Sequence, residues 1–258
     1  MDQDVMVAGQ DGLNRANAMH YVRFLTLLHR RLVVDWYMEV GCRNGRAFAP
    51  ARSKTIAVDP FFQIEQNVVN AKEELHIFQR TSDDFFASQF LERNDIRLSL
   101  SFLDGMHLAE YLLRDIINTE RNARADGVIM LHDCAPFNLV MTRRDQSAGP
   151  PGAWTGDVWK LIPILKEYRP DLKVEVLGCK PTGLVVISNL DPDNRALSDA
   201  YDGIVAEWAP KSLAEYGADR FRDQFEFADP QRLLDDEGGF WSAIDISDTV
   251  GEAPTFVS

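Results

Sequence analysis

Short apolar runs alternate with segments of helical period along most of this chain. Runs near residues 35–41, 54–59, 76–81, 98–104 and 127–133 have the length and the β-branched or aromatic content of strands. Between them, residues 44–52, 62–73 and a segment opening SDDFF read as helices, with Ser82 and Asp83 suited to a cap. After Asp104, Leu108, Tyr111, Leu112, Ile116 and Ile117 share one helical face. Strands and helices alternating at this spacing predict a parallel sheet covered on both faces. Upstream, Leu13, Ala16, Met19, Phe24, Leu27, Leu28 and Leu32 predict a helix over 13–32 that covers the core or a partner subunit.

The pattern fails over 137–155, where Gly149, Pro150, Pro151 and Gly152 mark a loop. Asp157 is then placed to cap a helix, VWKLIPILKEY, that stops before Pro170. KVEVLGC and TGLVVISNL are separated only by Lys180 and Pro181, too short for a parallel crossover, so they pair antiparallel or not at all. Beyond 191 the chain is acidic and helical in pattern to about Trp241, and residues 242–258 read as extended or mobile. Three regions follow: a helical segment over 1–32, a core over 33–191 and an acidic, mostly helical extension over 192–258.

Composition narrows the function classes. The apolar fraction of 45% is that of a globular protein, and 258 residues suffice for one sizeable core. The net charge of -13, without a basic run, argues against DNA or RNA held as a bulk polyanion. No run approaches the roughly 18 apolar residues of a membrane span, and no secretory leader is evident, so a cytoplasmic location is expected. Cys42, Cys134 and Cys179 lack metal-type spacing and read as reduced thiols.

The densest chemical signal lies in DWYMEVGCRNGRAFAPARSKTIAVDP, a strand, a glycine turn and a second strand ending in Asp59. Gly41 and Gly45 allow a tight turn whose backbone approaches a ligand closely. Asp59 is placed to accept a ribose diol, and Glu39 to orient a ligand ammonium group directly or through water. A dinucleotide fingerprint needs a glycine where Arg43 stands, which disfavours NAD.

YMEVGCRNG, AVDP, FLDGMHLAEYLLRDI, GVIMLHDCAP and AWTGDVWKLIPIL together resemble a bacterial family of class I methyltransferases dependent on S-adenosylmethionine (SAM). The family is related to O-methyltransferases of sugar and polyketide tailoring and to the cephalosporin-hydroxylase-like group. The resemblance covers roughly residues 35–191. It implies a three-layer, Rossmann-like α/β fold whose sheet is mostly parallel with an antiparallel last strand. It also implies that Glu39, Gly41, Gly45 and Asp59 bind SAM, that Pro60 and Phe61 flank the adenine, and that Ser82 and Asp83 lie near its edge, with Asp104 beside the cofactor.

Asp104, His132 and Asp133 are expected at the carboxyl ends of neighbouring strands, with His107 one turn into the following helix. Related metal-dependent enzymes hold Mg²⁺ at the positions of Asp104, His132 and Asp133. Imidazole is a poor Mg²⁺ ligand, so either a softer ion such as Mn²⁺ binds or His132 acts directly as the base. Trp154, Trp159 and Lys160 resemble a lid over an acceptor, although core packing explains Trp159 equally and an N-cap explains Asp157. The implied reaction is methyl transfer to a hydroxyl of a saccharide or sugar-bearing small molecule. A SAM-binding scaffold without turnover, serving glycan or natural-product assembly, is the alternative, and a homo-oligomer remains open.

Overall fold

The computed structural model describes residues 6–8, 11–148 and 152–241. A short antiparallel pair, β1 (Met6–Ala8) and β2 (Asn14–Ala16), precedes α1 (Tyr21–Arg31). The first three parallel strands follow: β3 (Trp36–Val40), β4 (Lys54–Val58) and β5 (Leu75–Phe78). Helices α2 (Ser82–Ala87) and α3 (Phe90–Arg93) lead to β6 (Leu98–Leu103), α4 (Ala109–Arg121) and β7 (Ala123–His132). Then come α5 (Leu161–Tyr168), β8 (Lys173–Leu177) and β9 (Leu184–Ser188). Helices α6 (Ala196–Trp208), α7 (Leu213–Tyr216) and α8 (Ala218–Arg222), the two-residue β10 (Phe227–Ala228) and α9 (Pro230–Leu234) complete the order.

The main sheet runs β10-β8-β9-β7-β6-β3-β4-β5. β9 is antiparallel to both of its neighbours, and every other pairing in this sheet is parallel. The reversed strand expected from the short Lys180–Pro181 link is therefore present, and the strand order changes direction at β3 and β6, where open α/β sheets place their ligands. This is the sheet of the class I methyltransferase fold.

Strand residues alternate between the two faces, as the two-residue period of a strand requires. Met38, Val40, Ile129 and Leu131 enter one core, packed with α4, α5 and the aromatic side chains of the C-terminal helices. Tyr37, Phe102, Val128 and Met130 enter the other, with Phe24, Leu25 and Leu28 of α1 and Leu233, Leu234 and Trp241 at the far end. Residues 196–241 thus complete both cores.

Three expected helices differ. The N-terminal one begins only at Tyr21, because residues 14–16 pair with 6–8 and the Ala18 and Tyr21 amides donate to Gly178 and Lys180. Residues 44–52 form turns with isolated helical bonds, such as Ala49 to Gly45 at 2.9 Å. Residues 62–73 form no helix, since Val68 is their one buried apolar side chain and Val69 is exposed. The cap of α2 is Thr81, whose side chain accepts from the Asp84 amide, with Ser82 the first helical residue. Asp157 occupies the N-cap position before residues 158–160 without capping them. Its Oδ1 instead accepts the Ala109 amide at the start of α4, 2.8 Å away. Residues 242–258 lie outside the described residues, as do Gly149, Pro150 and Pro151 of the loop. No helix among the described residues is long and apolar enough to cross a membrane.

Candidate functional site

The glycine turn after β3 is fixed by its neighbours. Gly41 has φ +88°, and a Cβ there would overlap the Asp104 carbonyl at the end of β6. Gly45 has φ +79°, with Val68 Cγ1 2.7 Å from where a Cβ would stand. Asp59 ties the turn down: Oδ2 accepts the Arg43 amide at 2.8 Å and Oδ1 the Phe61 amide at 2.6 Å. Each oxygen keeps a second lone pair for a ligand hydroxyl. Pro60 and Phe61 project beyond it, Phe61 77% exposed.

Glu39 is buried beneath the turn, and Tyr37 Oη donates to its Oε2 at 2.8 Å. Burial raises its pKa to about 8, despite the opposing Tyr37 hydrogen bond. The free protein therefore holds Glu39 largely as the neutral acid at neutral pH. On the far side, Asp83 is clamped by Arg114 through two bonds of 2.8 and 2.6 Å, and Arg114 also donates to Tyr201. Asp83 remains 44% exposed in this pair, and the Ser82 side chain hydrogen-bonds Asp115.

Beside this turn, two carboxylates and two imidazoles form a closed ring. His132 Nδ1 lies 3.2 Å from Asp104 Oδ1 and 3.4 Å from Asp133 Oδ1. His107 Nε2 lies 3.5 Å from Asp104 Oδ1, and its Nδ1 3.4 Å from Asp133 Oδ2. Asp133 has φ +61°, a left-handed backbone uncommon outside glycine. Thr182, in the β8–β9 turn, donates to Asp133 Oδ1 at 2.6 Å. All four sequence-expected residues are therefore brought together.

Their charges are mutually dependent. Burial alone would lower the His132 pKa, but Asp104 and Asp133 outweigh it and raise it to about 10. His107 is raised in the same way against its own burial, chiefly by its hydrogen bond to Asp104. Asp104, which burial alone would raise, is held below the usual carboxylate range by the two imidazoles. His132 consequently keeps its proton at neutral pH, which weakens it as a ready base. One donor atom each from Asp104, His107 and Asp133 lie within 4.8 Å of one another, so the set spaced to share an ion contains His107 where the sequence pointed to His132.

Two contributors escape the sequence reading. Tyr21, at the start of α1, lies on His132 with ring centroids 3.8 Å apart, and its hydroxyl pKa is raised by burial and then by Asp104 and Asp133. Thr182 was foreseeable only as part of a hairpin turn. Trp154 stacks on His107 at 5.1 Å, and its carbonyl lies 3.1 Å from His107 Nδ1, so it braces that ring. Trp159 and Lys160 are fully buried, Trp159 against Tyr216 and Phe221, and neither covers the cleft. The three cysteines are buried and free.

No protein-family model matches the chain, and no curated protein matches it. Among solved structures, cofactor-bound Rv0187 from MTB is similar over 67% of this chain and 80% of its own, at 14% identity and a TM-score of 0.49. The O-methyltransferase TomG from Streptomyces achromogenes, involved in tomaymycin synthesis and in complex with SAM, is similar over 65% and 78%, at 15% identity and a TM-score of 0.43. An rRNA methylase from Streptococcus thermophilus is similar over 66% and 95%, at 11% identity and a TM-score of 0.44. At these values the assignment rests on this chain's own strand order and reversed β9: it has the class I methyltransferase fold.

Proposed function

We propose that the protein is a SAM-dependent methyltransferase that methylates a hydroxyl of a saccharide or sugar-bearing small molecule. The observation that carries this reading is the ring of Asp104, His107, His132 and Asp133 at the ends of β6 and β7, directly beside the glycine turn. Gly41 and Gly45 open the backbone to the donor, Asp59 receives its ribose hydroxyls and Glu39 lies beneath its amino-acid tail. Pro60 and Phe61 cover the adenine, with Ser82 and Asp83 at its edge. When bound, SAM supplies an electrophilic methyl, so the protein has only to align an acceptor oxygen and remove its proton.

The two imidazoles and two carboxylates are the groups that take that proton. Deprotonated imidazole grows as pH rises toward 10, so turnover limited by His132 rises with pH over the alkaline range. A divalent ion fits the donor set, Mn²⁺ better than Mg²⁺ because an imidazole is included. Asp104, His107 and Asp133 would hold it, and its charge would lower the acceptor pKa.

The test joins calorimetry with SAM to methyl-release assays on candidate sugars, with Mn²⁺ affinity measured by calorimetry in parallel. His132→Ala is expected to cut turnover by about 100-fold or more while SAM affinity is retained. Unchanged turnover removes His132 from the chemistry, and SAM binding without turnover on any acceptor favours the scaffold reading. Absence of SAM binding ends the proposal.

A further inference from the structure

At the amino ends of β6 and β7, away from the catalytic ring, a cleft of about 500 Å³ is lined by Arg97, Arg121, Arg124 and Arg195. Four separate segments supply them: the residue before β6, the last residue of α4, the second residue of β7 and the residue before α6. Arg124 is neutralised by Asp126 at 3.0 Å. Arg97 donates only to the Arg121 carbonyl, at 3.2 Å. Among the described residues, no ion pair engages Arg97, Arg121 or Arg195. Two acids, Glu92 and Asp193, complete the wall.

Arg97, Arg121 and Arg195 thus bring three guanidiniums without an ion pair into one cleft of a chain whose net charge is -13. They repel one another in the free protein, and a multivalent anion converts that repulsion into attraction. The planar fork of each matches the oxygens of a phosphate.

We propose that this cleft is a second ligand site, taking a small anion with two or more phosphate groups, which meet Arg97, Arg121 and Arg195. The length of β6 places it roughly 20 Å from the catalytic ring, so its ligand is an effector and takes no part in the chemistry there. The proposal stands independently of methyl transfer.

The experiment is calorimetry of the full chain with inorganic pyrophosphate and with fructose 1,6-bisphosphate, at low and at physiological salt. Both are expected to bind saturably with one site, more weakly as salt rises. The double variant Arg121→Glu, Arg195→Glu should weaken each by about tenfold or more. Arg121→Gln with Arg195→Gln, which adds no charge, should do so less strongly and controls for folding through an unchanged melting curve. No saturable binding of either compound, or affinity unchanged in both double variants, overturns the proposal. An RNA oligonucleotide that binds through the same arginines more tightly than either compound also overturns it, in favour of a polyanion surface.

Discussion

Glu39 and His132 both carry large expected pH signatures of the same sign. Each has a folded pKa above its unfolded value, so each contribution to stability is fully present below the unfolded pKa and is lost as pH rises through the folded one. For Glu39 the window runs from its ordinary carboxyl value up to about 8, and for His132 from about 6.5 up to about 10. The melting temperature is therefore expected to fall between pH 6 and 10. Glu39→Gln, which keeps the acceptor for Tyr37, should flatten the lower part of that decline and His132→Gln the upper part. Melting curves with parent-like slopes in both variants would show that these groups titrate normally. Gly41→Ala sets a sterner test at the same scale. Left-handed backbone alone costs about 1–3 kcal/mol for a side-chain-bearing residue, and here the added methyl also meets the Asp104 carbonyl. Loss of soluble, cooperatively folding protein is expected by circular dichroism.

Among the elements, those with an apolar stripe were legible and those lacking one were not. β3, β6 and β7 are buried on both faces, so their near-continuous apolar runs announce a parallel sheet, and the short link after Cys179 announces the reversed β9. Residues 62–73 have helix-forming composition but little to bury, and a short helix without tertiary packing is marginal in water. Tyr21 was hidden because nothing local marks a helix start that folds over a strand end far along the chain. Asp157 shows the same limit: its local sequence suggests a cap for the next helix, whereas its partners are Ala109, Arg144 and Lys160. Lys160 is fully buried, with Nζ 2.6 Å from Asp157 Oδ2, so removing that carboxylate strands a charge in the core. Asp157→Ala should cost about 3–5 kcal/mol in denaturant unfolding. It should also loosen the segment bearing Trp154. A loss below about 1 kcal/mol would mean that Arg144 and Lys160 find other partners.

For the whole molecule, the sheet is closed at one side by a segment that sequence reading set apart. β10 pairs with β8, Trp208 and Phe221 enter the core on one face of the sheet, and Trp241 enters the other. Ending the chain at residue 191 would expose these surfaces, and the shortened protein is expected to aggregate or show molten behaviour. A cooperative melt close to that of the full chain would instead establish that residues 1–191 fold without the extension. The position of Tyr21 against His132 has a practical corollary: the segment leading into α1 is leashed to the candidate site. An affinity tag or fusion partner attached upstream would tug on that tether, so methyl-transfer assays on such preparations belong beside those of tag-cleaved protein.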